Sequence, residues 1–540
     1  MDDTFDYVIV GAGSAGSVLA NRLSNGRKTV CLLEAGGPDR NPFIHIPAGF
    51  MKTLVNPGVN WLYETEPSEG TAGRNIHAPR GKTLGGSSSI NGHIYNRGQR
   101  MDFDNWAQLG NRGWSYSDIL PYFKRSEKKI GGEDNKYHGR DGELIVTDFD
   151  WHNELSDGFI DGVANMGIPR NLDYNGEYQE GVGYFQRTIA NGRRISTSRA
   201  FLKPVRNRPN LEIRTRAHVE KILFEGKKAI GVYYWINNKK FIVRARKEII
   251  LSGGSVNSPQ LLQVSGIGPV DLIRSLGVPV IHDLPGVGQN LSDHYGVRIS
   301  ARVKNQRTIN ERSRGFNLAK EVANYIFCRK GILSLSPSLV YVFWKSQEIM
   351  ENPDLQMIFT PASYKEGVPS QLDDFPGMTV AAWPMRPESS GFVHSRTADI
   401  RDKPIIQPNY LDHENDQRVL LSGIKLMRKM LKSPEISKWY DQEEVPGIDV
   451  ETDNDLLNFA RERGTTFFHL VGTCCMGLNE NKKSVVSDEL KVHGIESLRV
   501  VDASIMPTMP SANTNASTIM IAEKASDMIL GNAPLEKIHI

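Results

Sequence analysis

Apolar and polar positions near the start of the chain fall into two periods. Val8-Ile9-Val10 is an unbroken apolar run, as in a strand buried on both faces. Ala15, Val18, Leu19 and Leu23 then recur at helical spacing, which predicts an amphipathic helix directly after a turn. A second apolar run at residues 29–33 completes a strand–helix–strand unit. Further on, residues 210–215, 217–224, 229–235 and 240–245 have the alternating, β-branched character of antiparallel strands, and residues 247–252 return a buried strand to the main sheet. From about residue 300 to 467, helical stretches such as 416–431 alternate with strand-like ones such as 391–395, a second α+β unit. A last helix runs to about Leu530. The fold class expected is α/β, or α+β overall, with a Rossmann-like dinucleotide unit joined to a second domain.

The first turn carries the most specific local signal. Gly11, Gly13 and Gly16 fit the G-x-G-x-x-G pattern between a strand and a helix. Gly11 permits the tight turn, Gly13 lets backbone approach a pyrophosphate, and Gly16 lets the helix lie against the strand. The helix N-terminus offers free N–H groups and roughly half a positive charge to the anion. Glu34, after the second apolar run, is spaced to bind ribose hydroxyls. FAD and NAD both carry ribose and pyrophosphate, so the turn leaves both open.

Composition narrows the classes. A chain of 540 residues can hold more than one domain, and no linker, repeat or low-complexity run divides it, so the domains are expected to share segments. The balance of 65 basic and 62 acidic residues, a net +3, is mixed rather than blocked and gives no support for nucleic-acid binding; Arg193-Arg194 reads as a solvated pair. Four cysteines argue against a disulfide scaffold and for a reducing compartment; adjacent Cys474 and Cys475 lack a matching ligand pair, so no metal is expected. No apolar run reaches the roughly 20 residues that span a bilayer. With a strand expected from Asp6 there is no room for a signal peptide. The expected location is cytoplasmic, with peripheral contact at the inner membrane open.

After Glu34, Ala35-Gly36-Gly37-Pro38 breaks into a long irregular stretch whose Trp61 and Tyr63 either cover a ligand or pack within the loop. Then comes Pro79-Arg80-Gly81-Lys82-Thr83-Leu84-Gly85-Gly86-Ser87-Ser88-Ser89-Ile90-Asn91-Gly92, a run of small residues that lets backbone donors approach a flat ligand. This segment resembles the first signature of the glucose–methanol–choline (GMC) oxidoreductases. Gly254-Ser255-Val256-Asn257-Ser258-Pro259-Gln260-Leu261-Leu262-Gln263-Val264-Ser265-Gly266-Ile267-Gly268 resembles the second. The likeness covers nearly the whole chain and is strongest to bacterial alcohol and choline dehydrogenase-like members.

The resemblance implies FAD and assigns residues to it. Gly11, Gly13, Ser14, Ala15, Gly16, Glu34 and Ala35 would hold the ADP half. Arg80, Gly85, Gly86, Ser87, Asn91, Gly92 and Ile94 would wrap the pyrophosphate and flavin. Val219, by itself a core strand residue, would meet the adenine through its backbone. Asp502, Ala503, Thr514 and Asn515 would complete the site, with a simple turn-forming role as the lesser reading of Asp502. Ile90 stands where covalently flavinylated members can carry histidine, so FAD is expected to be non-covalent. The implied FAD-binding domain comprises residues 1–155, 200–300 and 468–535; residues 156–199 and 301–467 would form a substrate domain on an antiparallel sheet.

His469, taken alone, is a buried loop histidine. In the family it stands in the catalytic His-x-x-Gly-Thr setting, and an unperturbed imidazole titrates near neutrality. It would take the hydroxyl proton of an alcohol while hydride passes from the α-carbon to flavin N5. The second catalytic position aligns to Asn513, with Asn515 as competitor. An amide is no base here; it would stabilise developing alkoxide charge. His294 reads as structural. Phe467 and Phe468 either crowd the flavin face or simply pack. The segment aligned to the choline-binding acid, Leu335-Ser336-Pro337-Ser338-Leu339-Val340, contains no acid, which weakens choline as a substrate. The implied reaction oxidises a small primary alcohol to an aldehyde, with a respiratory quinone or O₂ as acceptor. An O₂-using oxidase and a hydroxynitrile-lyase-like enzyme with redox-silent flavin are the alternatives. The particular alcohol and the oligomeric state are not encoded in any motif.

Overall fold

The computed structural model describes residues 3–132, 136–366 and 371–540. Two seven-stranded sheets organise these residues. In the first, β1 (Asp3–Val10) leads through α1 (Ser14–Leu23) to β2 (Val30–Glu34), and β3 (Leu211–Thr215) and β4 (Lys239–Leu251) complete the parallel order β3-β2-β1-β4. Val8 faces Cys31 on one side and Ile249 on the other. Helices and loops cover both faces, so Val8, Ile9, Val30 and Leu32 are all fully buried, which explains the unbroken apolar runs.

The two strands expected at 240–245 and 247–252 are one continuous strand of 13 residues. Its halves have different partners on the side away from β1. Residues 239–244 pair antiparallel with Lys228–Ile236, which in turn pairs with His218–Glu225. Ile249–Leu251 pairs parallel with Leu498–Val500 instead. The change of partner, which lies far off in the chain, is what mimicked a break.

The second sheet is antiparallel, in the order Tyr440–Val445, Tyr295–Val303, Gly377–Pro384, Leu355–Thr360, Val340–Trp344 and Gly181–Tyr184. Its side chains alternate. Val297, Ile299, Met357, Phe359, Val380 and Ala382 join a core with Val419, Leu420, Ile424 and Met427 of the helix Glu414–Leu431. Arg298, Ile358, Thr360, Thr379, Ala381 and Trp383 face a cavity on the other side.

α2 (Asn515–Leu530) is buried around most of its circumference. Its Glu523 side chain is fully enclosed and accepts hydrogen bonds from Arg22 of α1 and from Arg125. Ser14 Oγ also donates to Asn515 Oδ1 at 2.7 Å, so the N-terminal ends of α1 and α2 are tied together.

A Cβ on Gly16 would lie 1.8 Å from the Gly11 carbonyl oxygen, whereas one on Gly13 would meet nothing nearer than Gly86 Cα at 3.9 Å. Gly16→Ala is therefore expected to destabilise the flavin-free protein by about 3 kcal/mol, because the obstructing atom is backbone. Gly13→Ala should leave it within about 1 kcal/mol of wild type while reducing flavin retention. Denaturant unfolding and flavin content of the two variants check both statements; equal losses of stability would refute the assignment.

Candidate active site

A cavity of about 960 Å³ opens at the ends of β1 and β2 and extends to the inner face of the second sheet. Gly11, Gly13, Ser14, Ala15, Glu34, Ala35 and Val219 line one end. Arg80, Gly86, Ser87, Asn91, Gly92, Ile94, Asp502, Ala503, Thr514 and Asn515 line the middle, with His469 and Asn513 beyond. Gly16 and Gly85 stand behind the wall. Gly16 sets the helix–strand contact. Gly85, with φ +86°, donates its N–H to the Ala12 carbonyl at 2.8 Å and so presses the serine-rich loop against the first turn.

Local chemistry suits a dinucleotide. Glu34 Oε2 accepts from Ala12 N–H and Oε1 from Gly36 N–H, both at 2.8 Å, which orients the carboxylate at the cavity end. Burial raises its pKa to about 7 against the pull of those two bonds. Neither α1 nor α2 has a side-chain cap at its N-terminus, so both present free N–H groups near the cavity. Asp502 is differently engaged: one oxygen accepts from Gly254 N–H and Ser258 Oγ, the other from Ser504 N–H and Oγ. Its carboxylate knits the second signature to the chain before α2. Trp61 and Tyr63 stack on each other, centroids 5.7 Å apart, and both also line the cavity.

Arg193-Arg194 departs from expectation. Only Arg193 is solvated. Arg194 is 1% exposed and donates to the carbonyls of Ile44, Ser88 and Asn91, clamping the serine-rich loop. Burial lowers its pKa to about 9. Adjacent residues of a strand point to opposite faces, so two like charges in sequence need not share an environment.

The segment bearing His469 runs antiparallel to residues 292–296: Thr465 and Thr466 pair with Gly296 and Tyr295, and Val471 bridges Ser292. Between them Phe468 takes φ +69°, a left-handed conformation that costs a bulky residue energy. Asp293 secures the turn. Its Oδ1 accepts from His469 N–H at 2.7 Å, and its Oδ2 from Thr466 Oγ1 and from Tyr410 Oη. Phe468 donates its N–H to Thr466 Oγ1, and Arg80 donates to the Phe468 carbonyl, both at 2.7 Å.

The imidazole tautomers follow from the network. His294 Nε2 lies 2.8 Å from the Met385 carbonyl, which can only accept, so Nε2 carries the proton. A neutral His294 then has its lone pair on Nδ1, 2.9 Å from His469 Nδ1. His469 must donate there, which leaves its own lone pair on Nε2, 3.0 Å from Asn513 Nδ2. Among the described residues Asn513 Oδ1 is buried without a partner. Asn515 is engaged by Ser14 instead, so Asn513 is the amide next to the imidazole. His294, read from the sequence as structural, orients His469 from behind. Burial lowers the pKa of His469 well below its ordinary value, and the Arg80 charge adds to the effect. Burial lowers that of His294 to about 4.

Comparison with known proteins agrees with this architecture. Family models described as GMC oxidoreductase match residues 5–296 and 387–522. An alcohol dehydrogenase [acceptor] of Pseudomonas putida is 41% identical over 533 residues, covering 97% of this chain and 96% of its own. An oxygen-dependent choline dehydrogenase of Photobacterium profundum is 40% identical, covering 99% and 94%. Among solved structures, pyridoxine 4-oxidase from Mesorbium loti superposes with a TM-score of 0.89 at 29% identity, covering 98% of this chain and all of that one. Formate oxidase gives the same TM-score at 26% identity and 98% of each chain. The molecule is thus a flavin-dependent oxidoreductase. It belongs to the GMC oxidoreductase family, is alcohol or choline dehydrogenase-like, and binds FAD through its N-terminal region. Among the described residues no helix is long and apolar enough to cross a membrane.

The histidine environment makes stability pH-dependent. His294 and His469 are neutral when folded and free to protonate when unfolded, so the unfolded state binds more protons below the ordinary histidine pKa. Their contribution is complete above about pH 6.5 and, for His294, is lost as pH falls to about 4. The thermal midpoint should fall across that window, and less steeply in His294→Gln. An equal slope in the variant would remove His294 from the explanation.

Proposed function

We propose that the protein oxidises a primary alcohol to an aldehyde, with His469 as base and Asn513 as hydrogen-bond donor to the alcohol oxygen. The observation that carries this reading is the fixed lone pair of His469 Nε2 facing the Asn513 amide in the cavity. An alcohol hydroxyl that replaces the direct contact between them donates to Nε2 and accepts from Asn513 Nδ2. FAD, when bound, supplies the oxidant, taking two electrons and the hydrogen of the alcohol carbon. His469 takes the hydroxyl proton, and Asn513 stabilises the oxygen as charge develops and C–O becomes C=O. The depressed pKa keeps the imidazole unprotonated and ready at neutral pH. The relative named as an alcohol dehydrogenase supports the class. Choline is disfavoured: Pro337 and Ser338 of the segment at 335–340 reach the cavity, but the acids in its wall are Glu34, Glu64 and Asp502, none on the second sheet.

The same reading has FAD held non-covalently, with Ile90 packed against Ile44 and Val59. It divides the chain as the family resemblance implies, places it in the cytoplasm, and passes electrons to a quinone or to O₂. Contact with a membrane surface is supported by the helix Gly315–Cys328, which exposes Phe316, Ile326 and Phe327 beside Lys320 while turning Glu321 and Tyr325 inward. Sedimentation with anionic vesicles should be lost in a Phe316→Ser, Phe327→Ser double variant; no sedimentation of wild type refutes the contact.

Anaerobic addition of a substrate alcohol should bleach the bound flavin. His469→Ala should slow bleaching about 10²–10⁴-fold with flavin content unchanged, and Asn513→Ala should slow it to a smaller degree. Reoxidation by O₂ or by a quinone then separates oxidase from dehydrogenase. An unchanged rate in His469→Ala overturns the assignment.

A further inference from the structure

We propose that Arg298 is the specificity-determining residue of the substrate pocket, binding a carboxylate at the end of the substrate remote from its hydroxyl, so that the alcohol oxidised is a hydroxy acid. The inference rests on the alcohol oxidation proposed above and narrows its substrate class.

Strand geometry puts Arg298 there. In Tyr295–Val303, Val297 and Ile299 enter the core, so Arg298 projects to the opposite face and lines the cavity. It stands across from Ala381, whose short side chain leaves the space open. His294 and Arg298 share a parity, separated by Gly296, which has no side chain between them. Four residues of extended chain place the Arg298 backbone roughly 13 Å from that of His294, the residue that orients the base. The side-chain surface of Arg298 is exposed, but what it is exposed to is the cavity: protein surrounds the site, and burial lowers the arginine pKa.

Among the described residues nothing neutralises it. Other cationic side chains of the wall are engaged. Arg74 donates to the Arg461 and Gly464 carbonyls, and Arg80 to the Phe468 carbonyl beside Asp293. Arg463 pairs with Glu366, and Lys365 with Asp374. Among the described residues Arg298 has no hydrogen bond or ion pair; its neighbours are the Phe467 ring, 5.8 Å from the guanidinium carbon, and Tyr364. An enclosed charge without a counter-ion is costly, and the cost is recovered when a ligand brings the counter-ion. A guanidinium fork matches one carboxylate with two parallel hydrogen bonds. Between it and His469 lie Phe467 and Trp383, stacked 3.9 Å apart, an apolar wall for the carbon skeleton of the substrate. The same charge repels a quaternary ammonium.

The test uses the FAD-loaded enzyme. Hydroxy acids with a terminal hydroxyl, of butanoic, hexanoic and octanoic length, and para-(hydroxymethyl)benzoate are compared under anaerobic conditions with the uncharged alcohols of the same skeleton. The readout is the flavin bleaching rate at low concentration. Separately, butanoate, hexanoate and benzoate, which lack the hydroxyl, are titrated by the change in flavin absorbance. Wild type should prefer the best hydroxy acid over its neutral partner by about 30-fold or more and bind at least one of the simple carboxylates; Arg298→Gln should reduce both effects by about that factor, and Arg298→Lys should recover part of each. Flavin content and thermal midpoint exclude a folding defect, and the wild-type preference decides the matter if the variants do not fold. Neutral alcohols that bleach as fast as hydroxy acids, carboxylate binding unaltered in Arg298→Gln, or a preference for phosphate monoesters overturns the proposal while leaving alcohol oxidation intact. Arg298-dependent carboxylate binding with no bleaching by any alcohol instead overturns alcohol oxidation, and with it the hydroxy-acid substrate, leaving Arg298 as an anion site.

Discussion

The buried carboxylate of Asp293 is the constraint on which the active site depends. It accepts from the His469 backbone, from Thr466 and from Tyr410, and so binds together three separate segments. One of them holds Phe468 in a left-handed conformation immediately before His469. Such a conformation persists only when its surroundings over-determine it. Here they do: both the N–H and the carbonyl of Phe468 are taken, by Thr466 and by Arg80. Burial pushes the Asp293 pKa up, and hydrogen bonds from Thr466 and Tyr410 together with the Arg80 charge pull it back. Removing this group would free the turn and leave several buried donors unpaired at once.

The turn matters because it is where the two sheets meet. Strand Tyr295–Val303 belongs to the second sheet, yet Asp293 and His294 just before it hold His469, whose neighbour Leu470 accepts from Ser255 after β4 of the first sheet. His469 is therefore held from the residues that lead into the second sheet and faces the cavity that opens at the ends of β1 and β2. Its tautomer is set from Met385, through His294, by two hydrogen bonds. Neither histidine needs a charge for this, and both are too enclosed to carry one readily at neutral pH. The arrangement gives a neutral imidazole with one lone pair in one direction, which is what the proposed proton abstraction from an alcohol requires.

What was legible in the sequence was what depends on neighbours in the chain. The strand, the glycine turn and α1 were read correctly because the turn geometry is local: Gly16 fails to accommodate a Cβ on account of Gly11, five residues away. The helix at Glu414–Leu431 was also anticipated from the chain itself, and the antiparallel second sheet through family resemblance, which also singled out His469 and Asn513. Long-range register was not legible. The partner of His294 is the carbonyl of Met385, 91 residues away, so nothing near His294 marked it as an orienting residue. Arg194 was misplaced because adjacent strand residues face opposite ways. Arg298 escaped notice for the converse reason: its strand reads as an ordinary alternation until the sheet beneath it shows which face is empty.

That last point bears on how far relatives inform substrate choice. Identity near 40% with proteins named for an alcohol dehydrogenase and for a choline dehydrogenase cannot describe one shared substrate, since both names attach to the same level of similarity. The chemistry proposed for the glycine turns, the serine-rich loop and the His469–Asn513 pair does not distinguish one alcohol from another. Discrimination falls to side chains on the inner face of the second sheet, where a single residue can reverse the sign of the field. An unpaired guanidinium in a low-dielectric cavity acts over several ångströms on any charged substrate, attracting an anion and repelling a cation by comparable amounts. Replacing one such side chain changes which alcohol is accepted without disturbing the turn that Asp293 holds, so the fold can conserve its chemistry while its substrates diverge.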